Sequence, residues 1–407
     1  MRTAAGGRPS PPHHSTPSLR SAPPGGGDAA LYSALFASFS RNSQRMRARQ
    51  YVEGLLTADG RKTIRNIASA TAGDGGQQSL HHFLNSSAWD WHRVLDALAE
   101  FLESSRLPQA WVVSPLSIPK TGRHSVGVSR HYAPETGHLV YGQRAFGAWY
   151  VTEDMTAPVN WRLHLPQAWL DDGDRPPSME IPEQARSTSL EQCALDAVDD
   201  VRRRRGGREP VVLDGRGFTD PAWLRSAFGL DVPLLIRVDS TLPLPCTARG
   251  RNSRFATAQQ LLTSEDATRR IVRRAAPAPS GSARMAVTAT ARAVLTAPGG
   301  RARGGEHPYG DLLLLGEWGN PRLPPTGVWL TNMTRAPEHL LLRMTRLAHR
   351  VARDTRARGN DIGLCDFEGR SFRGWHRHMA LASAAYAVLA WNGLGRGGPD
   401  YESELSA

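Results

Sequence analysis

Lysine is almost missing from this chain: among 50 Lys plus Arg residues, Lys62 and Lys120 are the lysines and arginine supplies the rest. That usage, with abundant Ala, Gly and Pro, is what a GC-rich genome produces. Cysteine is equally sparse. Cys193, Cys246 and Cys365 are widely spaced and form no CxxC pair, which argues against a disulfide framework or a zinc site and fits a reducing cytoplasm. Long apolar runs are absent too. The longest, Met379 to Trp391, is about half of what a bilayer crossing needs, so it reads as a buried helix and no membrane role is expected. Residues 1–28 hold Pro, Gly, Ser and His but no apolar segment of signal-peptide length, and they read as a disordered arm. Neither GxxxxGK[ST] nor a strand-linked GxGxxG occurs, which excludes a nucleotide-binding loop.

At 407 residues and 40% hydrophobic content, the chain has material for two or three domains with packed cores. Its 50 basic against 38 acidic side chains give a formal charge of +12, which favours a polyanionic partner such as nucleic acid.

From Ala29 to about Ser105 the apolar spacing is helical. Leu31, Leu35, Phe36 and Phe39 share one face, Tyr51, Val52, Leu55 and Leu56 another, and Val94, Leu95, Leu98, Phe101 and Leu102 a third. Ser87, with Asp90 three residues on, predicts a capping box for that last helix. Arg45, Arg47, Arg49, Arg61, Lys62 and Arg65 lie where a DNA-contacting head would carry charge, although solvated helix faces look the same. After Pro108 short strands follow at Ala110 to Val113, Ser125 to Ser129, Leu139 to Val140 and Ala145 to Thr152. Glu191 to Arg203 reads as a helix, Pro210 to Leu213 as a buried strand ending at Asp214, Asp220 to Phe228 as a helix, and Leu234 to Val238 as a strand. Strand, acid, helix, strand is an α/β layout. From Leu244 to Thr326 periodicity gives way to Arg, Pro and Gly, including Arg269, Arg270, Arg273, Arg274, Arg301 and Arg303, as in an inserted subdomain. Val328 to Leu330 is a final strand, and Met344, Leu347, Ala348 and Val351 mark one face of a helix. The expected organisation is therefore an arm (1–28), a helical DNA-binding domain (29–105), a core in two parts (106–243 and 327–395), an insertion (244–326) and a tail (396–407).

Several segments together resemble bacterial insertion-sequence transposases of the DDE superfamily, the insertion-sequence 701 group in particular. They are Trp111-Val112-Val113, Pro119-Lys120-Thr121-Gly122 and His124-Ser125-Val126-Gly127-Val128, then Leu165 to Asp172, Ile181-Pro182-Glu183, Val211-Val212-Leu213-Asp214 and Trp329-Leu330-Thr331-Asn332. Gly363-Leu364 and the run Phe367 to His378 complete the set. The resemblance implies a ribonuclease-H-like mixed-sheet core with an insertion before the last catalytic helix. It also implies two aspartates and a glutamate holding two Mg²⁺ ions, one to activate the attacking oxygen and one to stabilise the leaving oxygen.

Carried over residue by residue, that acid set is depleted. The first aspartate falls at Ser114, in Ser114-Pro115-Leu116-Ser117. The second matches Asp214, and the glutamate, eleven residues before Gly363-Leu364, falls on Ala352. The basic residue about two turns later falls on Gly359. Asp354 lies roughly 200° around the helix from Ala352, so it should point away from Asp214. A lone retained acid predicts a DNA-binding protein unable to cut or join DNA, with no cofactor. The alternative is an active enzyme that uses Mg²⁺ through other carboxylates. Double-stranded DNA is the expected partner, a homodimer follows from the resemblance, and a nucleoid-associated cytoplasmic location fits. Lys120, Arg350, Arg370, Arg373, His376 and Arg377 are the expected DNA contacts, with His376 and His378 at a helix start near the phosphate path. Arg202 to Arg205 reads equally well as a solvated helix end complementing the dipole.

Overall fold

The computed structural model of the chain describes residues 26–71, 76–170, 181–182, 189–206, 208–246, 254–274, 284–294 and 311–394. The expected arm up to residue 25, the tail, Asp171, Asp172, Glu183, Arg301 and Arg303 lie outside them. Helix α1 begins at Gly26, inside the segment read as an arm.

Among the described residues five helices come first: α1 (Gly26–Phe36), α2 (Asn42–Thr57), α3 (Ile64–Thr71), α4 (Gly76–Asn85) and α5 (Trp91–Ser105). Their apolar faces are those the spacing marks, with Leu31, Leu35, Tyr51, Val52, Leu55, Val94 and Leu98 buried. The cap of α5 differs from expectation. Asp90, not Ser87, accepts the His92 amide at 2.9 Å, because Trp89 stacks on Phe83 in the core and delays the helix start.

The strands are β1 (Ala110–Pro119), β2 (Ser129–Ala133), β3 (His138–Val151) and β4 (Thr156–Leu163), followed by the short helix α6 (Gln167–Leu170) and α7 (Leu190–Arg205). Then come β5 (Val211–Asp214), α8 (Trp223–Phe228), β6 (Leu234–Val238), β7 (Pro243–Cys246), β8 (Arg254–Thr257), α9 (Ala258–Thr263), β9 (Thr268–Arg274), β10 (Arg284–Val294), β11 (Asp311–Trp318) and β12 (Gly327–Thr331). Two long helices finish the described chain, α10 (Glu338–Asp361) and α11 (Phe372–Leu394). Ten strands form one sheet in the order β2-β3-β1-β5-β6-β12-β11-β10-β9, with β4 on β3. β1, β5 and β6 run parallel and the other pairs antiparallel. This is the ribonuclease-H-like α/β architecture expected, with helices leading and closing the chain.

Side-chain alternation tells the two faces apart. Arg162 lies opposite Phe146 and pairs with Asp200 of α7 at 2.6 Å, so α7 covers that face. Asp354 of α10 and Tyr386 of α11 both meet the Thr156 hydroxyl, at 2.9 and 3.1 Å, and Trp149 packs edge-on against Tyr386. Those two helices cover the other face. Residues 244–326, read as loose, add β9, β10 and β11 to the main sheet rather than standing apart from it. One continuous hydrophobic cluster runs from Leu31 to Ala390, through the N-terminal helices, the sheet and α11. Among the described residues no helix is long and apolar enough to cross a membrane.

Candidate active site and nucleic-acid surface

Neighbouring strands bring Ser114 and Asp214, the positions expected for the first two acids, into line. Val112 and Val113 of β1 are level with Val212 and Leu213 of β5, so the next pair is Ser114 beside Asp214. Asp214 is in turn level with Arg237 of β6, and Arg237 with Trp329 of β12. In-register residues point to one face. The face is that of α10, because the His349 ring meets Trp329 edge-on with centroids 6.0 Å apart. Farther along, Arg356 donates to the Glu135 carbonyl in the β2–β3 turn. Ala352 lies three residues from His349 and four from Arg356, on the same stripe of the helix. It therefore faces the row that carries Ser114 and Asp214. Asp354 turns instead to Thr156 and lies 3.5 Å from Arg350 and Arg353.

Asp214 is buried and already occupied. Arg216 donates from Nε to Oδ1 at 2.9 Å and from Nη2 to Oδ2 at 2.7 Å, so both carboxylate oxygens meet one guanidinium. Its Nη1 reaches the Pro134 carbonyl at 3.3 Å. Burial pushes the Asp214 carboxyl upward, but the Arg216 hydrogen bonds and the Arg216 and Arg237 charges outweigh it and hold the group below the usual carboxylate range. A local reason underlies the pairing. The strand ends at Asp214, and Gly217 with φ 86° turns the chain so that Arg216 folds back on a residue two before it. Asp239 then accepts the Gly217 amide at 2.8 Å.

These residues do not fit a pair of magnesium ions. Such ions sit roughly 4 Å apart and need several converging carboxylates. Here the row offers a hydroxyl at Ser114, a methyl at Ala352 and an acid whose oxygens are taken by Arg216. Among the described residues no three His, Cys, Asp or Glu side chains are grouped as metal ligands. One acid escaped the sequence reading. Glu317 of β11 is buried, lies on the face of Trp329, and has an oxygen without a hydrogen-bond donor. Its burial depends on the added strands, so no local pattern announces it. Arg216, by contrast, was visible as an arginine two residues beyond a strand-ending aspartate.

The expected DNA contacts divide sharply. Lys120 is half-buried, its Nζ donating to the Phe367 and Cys365 carbonyls. Arg350 donates to the Thr152 and Glu153 carbonyls. Arg377 is buried, with Nη1 on Leu84 O at 2.8 Å, Nε and Nη2 on Trp89 O, and its guanidinium over the Trp89 ring. His376 does begin a helix, but it is buried among Trp91, Phe372 and Trp375 and donates to or accepts from nothing outside. Burial drives its pKa down to about 3, so the ring is neutral. His376 and Arg377 are buried and serve as internal ties rather than exposed contacts, whereas Lys120 and Arg350 are half-buried and hold carbonyls with part of their donor set. Arg370 and Arg373 remain exposed.

The Gly363 to His378 run acts as a hub. His378 Nε2 lies 2.9 Å from the Gly363 carbonyl and must be its donor, so Nδ1 accepts the Tyr51 hydroxyl at 2.9 Å. Asp366 accepts the Lys62 amide at 2.8 Å and lies 3.5 Å from Arg61. Gly363, with φ 75°, permits this approach, as a Cβ there would stand 2.5 Å from Lys62 Cβ. Arg202, Arg203 and Arg204 pair with Asp199, Asp200 and Asp96. Arg41, just before α2, and Arg45 and Arg49 on it are exposed, and Arg41 and Arg47 line a groove of about 420 Å³ with Gln44, Gln78 and His82.

Fold and site together define a ribonuclease-H-like mixed-sheet core. The sequence matches the family described as DDE superfamily endonuclease over residues 34–283, more than half of the chain, and the protein belongs to that family. It is also similar to the protein described as "Probable transposase for insertion sequence element IS701" from Microchaete diplosiphon, 29% identical over 119 residues. That match covers 28% of this chain and 30% of the relative, so the chain spans less than a third of the relative's length.

Proposed function

We propose that this protein is a transposase-like binder of double-stranded DNA that neither cuts nor joins it, a mobile-element remnant or a domesticated copy. The observation that carries the reading is the capture of both Asp214 oxygens by Arg216, in a row where Ser114 and Ala352 supply no further acid. A guanidinium provides the positive charge that metal ions would, but it cannot polarise a water or a 3′-hydroxyl for attack as a divalent cation does. Binding needs no such group. The +12 charge, the groove beside α2 and the exposed Arg370 and Arg373 suit phosphate contacts from a head formed by residues 29–105 and the start of α11. A homodimer associated with the nucleoid is the setting this reading implies.

The test is anisotropy binding to duplex DNA across a salt series, with nicking assayed on the same DNA in Mg²⁺ or Mn²⁺. Salt-sensitive binding without nicking is the expected result, and removal of Arg370 or Arg373 should lower the log–log salt slope by roughly 0.9 each. Absence of duplex affinity at low ionic strength would refute binding. One observation favours a second reading, an active enzyme: Glu317 is a buried acid with a free oxygen on the correct face. Metal-dependent nicking abolished by both Asp214→Ala and Glu317→Gln would establish it.

A further inference from the structure

The β2–β3 hairpin carries an apolar face that the fold leaves uncovered. Arg130 pairs with Tyr141 and Tyr132 with Leu139 across the two strands, so these four side chains share one face. Tyr132 is 51%, Leu139 79% and Tyr141 39% exposed. The alternate residues point the other way: His131 meets the Ser117 hydroxyl at 3.1 Å, and Ala133 is buried. The register makes the outward face continuous with the acid row. β3 pairs Gly147 with Ser114, and Tyr141 and Leu139 follow Gly147 at even spacing along the same strand, on the same side of the sheet. At the near end, the Tyr132 ring comes within 3.9 Å of where a Gly217 Cβ would stand, three residues beyond Asp214. Folding leaves between 39 and 79% of each of these three residues in water, and edge strands of soluble proteins are ordinarily blunted by charge rather than aromatics.

We infer that this hairpin face is a stacking platform for unpaired bases of a DNA strand, placed beside the Asp214–Arg216 pair; the inference rests on the DNA-binding reading above. Two tyrosines and a leucine offer flat apolar surface to the faces of bases, which a paired duplex hides and a frayed or single-stranded end exposes. Arg130 within the patch supplies a cation for the connecting phosphates. A second copy of this chain, with charge +12, would bring like charge against that arginine. A nucleic-acid strand brings the opposite charge. The tyrosines make the platform sequence-tolerant, because every base presents a π-face.

The experiment compares two labelled DNAs by anisotropy, a blunt duplex and the same duplex with an unpaired tail of about six nucleotides. The full-length protein should bind the tailed DNA more tightly. Tyr132→Ala and Tyr141→Ala should each reduce tailed-DNA affinity by roughly 5- to 150-fold, in line with the cost of losing one aromatic–base stack. Both should leave blunt-duplex affinity unchanged, and since the two residues are 51 and 39% exposed on an edge hairpin away from the core cluster, folding should be intact by circular dichroism. A 2-aminopurine in the tail should be quenched by the parent protein and not by the double variant. Equal affinity of the parent for the two DNAs would overturn the platform while leaving duplex binding standing. Loss of blunt-duplex binding by the parent would instead overturn the DNA reading itself. A double variant that keeps tail preference but sediments as a monomer where the parent is a dimer would assign the face to chain–chain contact and overturn the inference.

Discussion

Replacing Arg216 with methionine removes a charge while leaving an apolar stem of similar reach, so its effect isolates the ion pair at the centre of the site. Asp214 is buried and loses both hydrogen-bond donors, with Arg237 left as the nearby cation. Breaking a buried pair from one side costs about 3 kcal/mol or more, because a carboxylate is stranded out of water. At roughly 2 cal/mol/K of unfolding entropy per residue, a 407-residue chain has about 0.8 kcal/mol/K. The melting temperature should therefore fall by about 4 °C at pH 7 if the chain unfolds cooperatively. Asp214→Asn combined with Arg216→Met should recover most of that loss, since the second change then strands no charge. The pH dependence has a defined sign. In the parent the Asp214 pKa is depressed, so the pair stabilises above the unfolded value of 3.8 and is lost as pH falls through the lower folded value. In the variant, burial is no longer opposed by Arg216 and the carboxyl titrates upward. The deficit should then shrink as pH falls from 7 toward 4.5. Calorimetry at those two values checks both claims. A variant melting within about 1 °C of the parent at pH 7, or one with an undiminished deficit at pH 4.5, would refute the argument.

Acid should also act through buried histidines. His164 and His378 are held near pKa 4 and His376 near 3, chiefly by burial, against 6.5 when unfolded, so stability should decline as pH drops below about 6.5. Each contributes up to about 1.4 kcal/mol per pH unit, and His376→Phe should flatten the decline measured by urea titration. Gly363→Ala should cost about 2 kcal/mol or more, since it forces a side chain into positive φ and against Lys62; an unchanged urea midpoint would show that the hub tolerates it. Restoring acids tests the row itself. Ser114→Asp and Ala352→Glu in the Arg216→Met background should give a Mn²⁺-dependent rise in melting temperature, about 3 °C at a hundredfold excess over Kd, where the parent shows none.

Much of the core was legible because local pattern and long-range placement agree there. The apolar run Val211 to Leu213 can only be a buried strand, and it delivers Asp214 to the edge of the row; the 344–351 periodicity likewise fixes the face of α10. Thr268 to Arg274 was not legible. Its Thr-Arg-Arg-Ile-Val-Arg-Arg sequence reads as a charge run, yet pairing with β10 makes it the last strand of the sheet. The basic residues of α11 misled for a related reason. Arg377 and His376 look like surface charge in one dimension, and only the carbonyls of Leu84 and Trp89 and the ring of Trp91, brought from far along the chain, draw them inside. A cation's destination depends on which acceptors the fold leaves unpaired, and spacing does not carry that information.

The hydrogen bonds joining Tyr51, His378 and Gly363 have a mechanical outcome. They tie α2 to α11 and to the Gly363 turn, so the leading helices and the closing one share an anchor in the buried core. A change in the side chain at either end of that relay would therefore be felt at the other, across 327 residues of sequence.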